Sequence, residues 1–261
     1  MGKLVLKDSS TENVRKIVET YRERFKQVLE SRRGGRTSRP LVISNEGFSR
    51  PNDNFREMTR NTAEFLRTYS DEDIRVIAYV RSPRSFMSSM FQQYSRVEDV
   101  KNLNDLRSVW PHYRGSLQKF DHIFGRENVI LKPFQRNRLE DGDVVLDFAR
   151  EIGVALDSGE VIRINESISL EAVALLYVKW RFGEPFKPEN SYDLMWHSRF
   201  ALQISKLGSR RFVLSDHITD PLVEANRADL EWMEARLGAP LSEPAVPEGQ
   251  GIGSEEELIA A

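Results

Sequence analysis

The sequence contains no cysteine, which excludes disulfide bonds, thiolate nucleophiles and cysteine-ligated metal sites. It also has no long apolar run. The longest purely apolar stretch covers residues 172–178, far short of the roughly 20 residues that a transmembrane helix needs. Only three apolar residues follow Lys3, so the start does not resemble a signal peptide. These absences predict a soluble, cytoplasmic protein.

The chain also lacks an excess of either charge, since 38 Lys and Arg residues face 40 Asp and Glu residues for a net charge of -2. This balance argues against a general nucleic-acid binder, which needs a broad basic surface. The 261 residues can bury a substantial core. We expect one α/β domain over residues 1–238, followed by a disordered acidic tail over residues 239–261 that is rich in proline and glycine.

Hydrophobic periodicity predicts helices that alternate with short strands. The strongest strand candidate covers residues 74–80, which are rich in β-branched side chains. Such alternation is typical of a parallel sheet flanked by helices. Helices are predicted over residues 11–31, 52–69, 82–95, 110–124, 144–152, 170–182, 192–205 and 221–237, and strands over residues 41–44, 74–80, 128–132 and 212–214.

The junction that follows the strongest strand has the chemistry of an anion site. Arg81 ends the strand, and Ser82-Pro83 suits the start of a helix, with Ser82 as its N-cap. Ligands of open α/β sheets collect beyond the carboxyl ends of the strands, where helix N–H groups favour anions. Arg81 adds a fork of donors, and Ser82, Ser85 and Ser89 share one helix face. This combination predicts a phosphate site; the alternative is a strand-end salt bridge of Arg81 beside solvent-facing serines.

Residues 79–89 (YVRSPRSFMSS) resemble the 3′-phosphate-binding segment of sulfotransferases that use 3′-phosphoadenosine 5′-phosphosulfate (PAPS). In that family an arginine closes a strand, a proline follows two places later, and a serine lies eight residues beyond the arginine. Arg81 and Ser89 match these positions, so the resemblance implies that both bind the 3′-phosphate. Residues 124–134, 145–148, 165–167 and 226–232 are also similar to segments of the bacterial carbohydrate-sulfotransferase-like members.

The resemblance implies an α/β fold of the P-loop NTPase-like sulfotransferase type. It also implies an enzyme that moves a sulfuryl group from PAPS to an acceptor hydroxyl, with a saccharide as one acceptor class and no metal. The expected partners are this nucleotide donor and the hydroxyl acceptor, with no nucleic acid and no membrane span.

The amino-terminal part departs from the family, whose first strand leads into a glycine-containing Lys-x-Gly-Thr-Thr loop around the 5′-phosphosulfate. Residues 4–11 read LVLKDSST and contain no glycine, and Asp8 would repel phosphate. Lys7, Ser10 and Thr11 are the candidate remnant of this loop, in an abbreviated amino-terminal unit. The alternative is a polar turn that caps the first helix.

Glu46 is the candidate catalytic base, because it follows the predicted strand at residues 41–44 and related sulfotransferases place a His or Glu there. The alternative is that Glu46 caps a loop or pairs with Arg50. None of the four histidines has a spacing that suggests a metal pair. The second functional hypothesis is a non-catalytic sulfotransferase-like protein that binds a nucleotide or a partner, which the missing glycine loop favours.

Overall fold

The computed structural model describes residues 11–32, 40–69, 73–96, 103, 109–162, 167–183, 203–204 and 207–261. The chain forms two compact units where the sequence predicted one domain. The first unit comprises Met1–Val76 and Lys119–Val129, and the second comprises Ile77–Gln118 and Ile130–Ala261.

In the first unit, two helices pack through aromatic side chains. Helix α1 covers Thr11–Arg32 and helix α2 covers Asp53–Tyr69, so both helices that periodicity predicted are confirmed. The Phe25 and Phe65 rings stack with centroids 5.8 Å apart, and Phe65 also contacts Tyr69 at 5.0 Å. These apolar positions are the ones that recur at helical spacing in the sequence.

The predicted buried strand at residues 41–44 is wrong. These residues have no regular structure, and Val42 and Ile43 are 48% and 41% exposed. Three apolar residues do not make a strand unless a partner strand and a packing surface cover them. A short 3-10 helix, Glu46–Ser49, follows, and the Asn45 side chain caps it by accepting the N–H of Gly47 at 2.7 Å.

From residue 76 onward, the described elements mostly match the predicted order. They are β1 (Val76–Val80), α3 (Pro83–Arg96), α4 (Tyr113–Phe124), β2 (Val129–Pro133), α5 (Val144–Glu151), α6 (Leu170–Phe182), α7 (Asp216–Ala225), α8 (Arg227–Leu237) and α9 (Glu255–Ile259). Short 3-10 helices cover Arg126–Asn128, Arg136–Arg138, Glu140–Gly142 and Ser158–Glu160. The helix predicted over residues 192–205 lies outside the described residues except for 203 and 204, which are helical.

The fold is mixed α/β and mostly helical. Within the described residues, β1 and β2 form a two-stranded parallel sheet, as expected for strands joined by a long helical crossover. The strand predicted over residues 212–214 is replaced by isolated bridges that pair Ser169 with Arg211 and Leu214 with Ile252. No described helix is long and apolar enough to cross a membrane.

Helix α6 lies at the centre of the core of the second unit. Its residues Ala172, Val173, Leu176 and Tyr177 are completely buried. The Phe91 ring of α3 stacks on Tyr177 with centroids 5.9 Å apart, and on Phe212 with centroids 5.5 Å apart. One side of α6 is therefore buried in this core, whereas Leu175, Val178 and Phe182 on the same helix are 50%, 37% and 59% exposed.

Residues 240–261 are ordered and packed, so the predicted disordered tail is wrong. Leu241, Ile252 and Leu258 are buried, and the Tyr177 hydroxyl donates to Glu255 at 2.5 Å. One turn in this segment covers residues 248–250, where the N–H of Gln250 donates to the carbonyl of Pro247 at 3.0 Å and Gly249 has a φ of 74°.

One buried carboxylate joins α5 to both strands. Asp147 accepts a hydrogen bond from the Tyr79 hydroxyl of β1 at 2.7 Å, and it pairs with the Lys132 ammonium of β2 at 2.5 Å. Burial raises the pKa of Asp147, but the hydrogen bonds from Lys132 and Tyr79 outweigh it and hold the pKa below its usual range. Lys132 also reaches Glu151 at 3.3 Å.

Replacing Asp147 should lower stability in a pH-dependent way. Asp147→Asn removes the charge that pairs with Lys132, and we expect a loss of about 1–3 kcal/mol in the free energy of unfolding at pH 7. The pKa of Asp147 is lower in the folded state than in the unfolded state. The stability that its charge contributes is therefore complete above the ordinary aspartate pKa of about 3.9 and is lost as pH falls through the pKa of the folded state. Urea unfolding of the wild type and of Asp147→Asn at pH 7 and pH 3 measures this contribution. Asp141→Asn, at an exposed site, is the control; an equal loss at both pH values would contradict the assignment.

The packing of the carboxyl-terminal segment gives a second test. Leu258→Ala empties a site with 0% exposure and should lower the free energy of unfolding by about 2–5 kcal/mol. Ile259→Ala, at the neighbouring residue with 46% exposure, should change it by no more than about 0.5 kcal/mol. If thermal or urea unfolding gave similar values for the two variants, α9 would not be part of the core.

Candidate functional site

The parallel pairing of β1 and β2 places Arg81 beside Phe134. The N–H of Phe134 donates to the carbonyl of Val80 at 2.7 Å, so both strands end at the same edge of the sheet. Arg81 and Phe134 are the first residues after the two strands. The Arg81 guanidinium lies over the Phe134 ring, 4.8 Å from its centroid, a distance typical of cation–π contact.

The Arg81 guanidinium is partly desolvated, and the one carboxylate among the described residues that acts on it, Glu243, does so only through its charge. Burial lowers the pKa of Arg81, and the nearby Glu243 carboxylate acts in the opposite direction. No described residue forms an ion pair or side-chain hydrogen bond with this guanidinium. The strand-end salt bridge considered as the alternative is therefore absent from the part of the chain that the structure describes.

Arg84, three residues later, has the opposite environment. Its guanidinium pairs with Asp220 at 2.5 Å and with Asp216 at 3.4 Å. Burial lowers the Arg84 pKa, but these two carboxylates outweigh burial and raise it. Arg81, just before α3, and Arg84, in its first turn, therefore differ in charge neutralisation: carboxylates pair with Arg84 and none of the described ones pairs with Arg81.

Glu243 occupies the N–H groups at the start of α3 that the sequence assigned to a phosphate. Its carboxylate accepts hydrogen bonds from the N–H groups of Arg84 and Ser85, both at 3.0 Å. The prediction of free N–H groups at this helix start is wrong, because an acidic side chain from the carboxyl-terminal segment satisfies them. An anion at a helix N-terminus is favoured by the dipole and by the unpaired donors there.

The three serines that share a helix face differ in exposure. Ser82 is buried, and its hydroxyl oxygen lies 3.4 Å from that of Ser85. The Ser85 hydroxyl also lies 3.2 Å from the Ser82 carbonyl, to which it can donate. Ser89 is half-buried one helical turn further on. Ser82 therefore neither faces solvent nor makes a described N-cap hydrogen bond; Glu243 caps α3 instead.

A buried tyrosine and an aspartate hold the junction from the α4 side. The Tyr113 hydroxyl donates to the carbonyl of Arg81 at 2.7 Å. The Asp229 carboxylate of α8 accepts the N–H groups of Tyr113 and Arg114, both at 2.9 Å, and the Trp110 indole N–H at 2.7 Å. Asp229 thus caps α4 as Glu243 caps α3.

The other predicted site residues lie in the first unit or outside the described residues. Lys7 and Ser10 fall outside them, and Thr11 is the first residue of α1. Glu46 is the first residue of the 3-10 helix at residues 46–49. The loop cap considered for Glu46 belongs to its neighbour Asn45. The roles of these residues stay predictions.

Four residues of this site were not singled out by the sequence analysis: Tyr113, Phe134, Asp229 and Glu243. Phe134 and Asp229 lie inside segments that resembled the sulfotransferase family, at residues 124–134 and 226–232. Phe134 could have been found from the sequence, because it directly follows the second predicted strand just as Arg81 directly follows the first. No sequence signal marked Glu243, because it lies in a stretch whose composition suggested disorder.

Comparisons with known proteins identify no family. No family model and no solved structure matches the chain. An uncharacterized protein of Archaeoglobus fulgidus is 20% identical over 142 residues, which are 53% of this chain and 37% of that protein. The chain therefore matches well under half the length of this relative.

Removing the cap on α3 should lower stability. Glu243→Ala leaves the N–H groups of Arg84 and Ser85 without their carboxylate, and we expect a loss of about 1 kcal/mol in the free energy of unfolding. Urea unfolding measures it, with Glu248→Ala at an exposed site nearby as the control. If the two variants were equally stable, the carboxylate of Glu243 would not be a working cap.

Proposed function

We propose that the chain is a PAPS-dependent sulfotransferase of the P-loop NTPase-like fold whose β1–α3 junction binds the 3′-phosphate of the nucleotide. The observation that carries the proposal is the Arg81 guanidinium, which is partly desolvated, stacked on Phe134 and without a hydrogen-bonding or ionic partner in the described chain. A charged group is seldom buried without a partner, because desolvation of the charge is unfavourable. A bound phosphate would supply the missing partner.

The stacking of Arg81 supports an oxyanion ligand in particular. The Phe134 ring offers no oxygen to the guanidinium, and among the described residues no side chain accepts a hydrogen bond from its N–H groups. Those N–H groups match two oxygens of a phosphate, which arginine binds in a bidentate manner. In this proposal the Ser89 hydroxyl, on the same helix, donates to a further phosphate oxygen.

The reaction proposed for this site is an in-line transfer of a sulfuryl group. The acceptor hydroxyl oxygen forms a bond to sulfur while the bond between sulfur and the 5′-phosphate oxygen breaks, and 3′,5′-adenosine bisphosphate leaves with that oxygen. The sequence resemblance assigns the hydroxyl proton to Glu46 and the 5′-phosphosulfate to Lys7, Ser10 and Thr11, and these assignments stay predictions. Such a transfer depends on positioning and on positive charge around the leaving phosphate. No metal is required, and a saccharide hydroxyl is the proposed acceptor.

The second candidate is a non-catalytic relative that binds the nucleotide, or a partner, without transferring sulfate. The observation that favours it is the lack of glycine over residues 4–11. Glycine lets backbone N–H groups approach a phosphate closely. A protein of this kind would keep the Arg81 site and lack the transfer step.

Titration with 3′,5′-adenosine bisphosphate by calorimetry tests the nucleotide site. Arg81→Ala should weaken binding by about 1.5–3 kcal/mol, because it removes a charge-assisted contact. Arg84→Ala is the matched control, since it removes the same charge three residues away, where carboxylates already neutralise it. Its effect should be much smaller.

The outcomes separate the candidates. If the wild-type protein does not bind the bisphosphate, or if both arginine variants weaken binding equally, the proposed site is wrong. Binding together with transfer of labelled sulfate from PAPS to a saccharide panel supports the enzyme. Binding without transfer to any acceptor favours the non-catalytic relative.

A further inference from the structure

We propose that Tyr113 is a positioning residue for Arg81, through the hydrogen bond from its hydroxyl to the Arg81 carbonyl. The inference rests on the proposed function, because it assigns to Tyr113 the task of directing Arg81 towards the 3′-phosphate. Tyr113 is the first residue of α4 and is 3% exposed. Its hydroxyl donates to that carbonyl over 2.7 Å.

The two peptide groups on either side of the Arg81 Cα atom are each held by a hydrogen bond from another element. The peptide before it is held through the Val80 carbonyl, which accepts the N–H of Phe134 at 2.7 Å. The peptide after it is held through the Arg81 carbonyl, which accepts the Tyr113 hydroxyl. Because the orientations of the two peptide planes set φ and ψ of the residue between them, these bonds restrain the direction in which the Arg81 side chain leaves the backbone.

The Tyr113 hydroxyl is itself anchored and remains a donor. The Asp229 carboxylate holds the Tyr113 N–H at 2.9 Å and the Trp110 indole at 2.7 Å, and the Trp110 and Tyr113 rings meet edge to face at 5.8 Å. Burial, followed by the charges of Glu243 and Asp229, raises the pKa of Tyr113, so the proton stays on the hydroxyl at neutral pH. The donor is therefore fixed in place and in protonation state.

If Tyr113 served only in packing, loss of its hydroxyl would not change the affinity for a ligand at Arg81. Tyr113→Phe keeps the ring and removes the hydrogen bond to the Arg81 carbonyl. Tyr79→Phe is the matched control, because it removes a tyrosine hydrogen bond of the same length from the same region, to Asp147 instead. Calorimetric titrations use 3′,5′-adenosine bisphosphate and adenosine 5′-phosphate, which lacks the 3′-phosphate.

We expect Tyr113→Phe to weaken binding of the bisphosphate by about three- to tenfold, the value of one hydrogen bond, and to leave binding of adenosine 5′-phosphate unchanged. Tyr79→Phe should leave both affinities within about twofold of wild type. In the Arg81→Ala background, Tyr113→Phe should have no further effect, since a double-mutant cycle isolates the coupling between the two residues. Thermal unfolding of every variant confirms that it is folded.

The outcomes that overturn the inference differ from those that overturn the nucleotide site. If Arg81→Ala weakens binding while Tyr113→Phe does not, the nucleotide site at Arg81 is supported and the positioning role of Tyr113 is wrong. The role also falls if Tyr113→Phe weakens both ligands equally, or if its effect persists without the Arg81 side chain. If the wild-type protein does not bind the bisphosphate at all, both inferences are wrong.

Discussion

An arginine side chain does not lose its proton in a protein, so Arg81 carries a positive charge wherever the fold places it. The fold places it at the end of β1, partly desolvated and against the Phe134 ring. The contact with Phe134 follows from the pairing of two parallel strands that end together, because the N–H of Phe134 donates to the carbonyl of Val80. The neighbouring helices, caps and carboxylates are arranged around this cation.

The caps of α3 and α4 show why the carboxyl-terminal third of the chain matters to this site. Asp229 lies on α8 and Glu243 lies just beyond it. Each accepts two backbone N–H groups at the start of a helix from the first half of the sequence. A carboxylate is a strong acceptor for such groups, since the helix dipole adds to the hydrogen bonds. The packing of Leu241 and Leu258 into the same unit keeps these acidic residues in place.

Local periodicity was enough to predict α1, α2, α3, α5 and α6, whose apolar faces recur at helical spacing. It was also enough for both strands, which are short runs of β-branched residues. The prediction for residues 41–44 was wrong, because three apolar residues do not specify their own partner. The tail prediction was wrong for a related reason: composition reports how polar a stretch is on average and does not show that Leu258 alone fills a buried site. In the site, the position of Arg81 followed from one strand and one turn. Its contacts with Phe134 and Tyr113, and the nearby charge of Glu243, depend on residues 32 to 162 positions away, which no local pattern encodes.

Glu243 acts on the site in two opposing ways. Its negative charge makes the desolvated Arg81 cation more stable and so offsets part of the unfavourable burial of this arginine. The same charge repels a phosphate that approaches Arg81, and its carboxylate already uses the N–H groups of Arg84 and Ser85. A ligand at this junction must therefore bind through side chains, the Arg81 fork and the serine hydroxyls, unless it displaces Glu243. That requirement favours a phosphate that binds at the side of the helix. In a glycine-rich phosphate loop, by contrast, the phosphate lies on the helix axis and binds the backbone N–H groups.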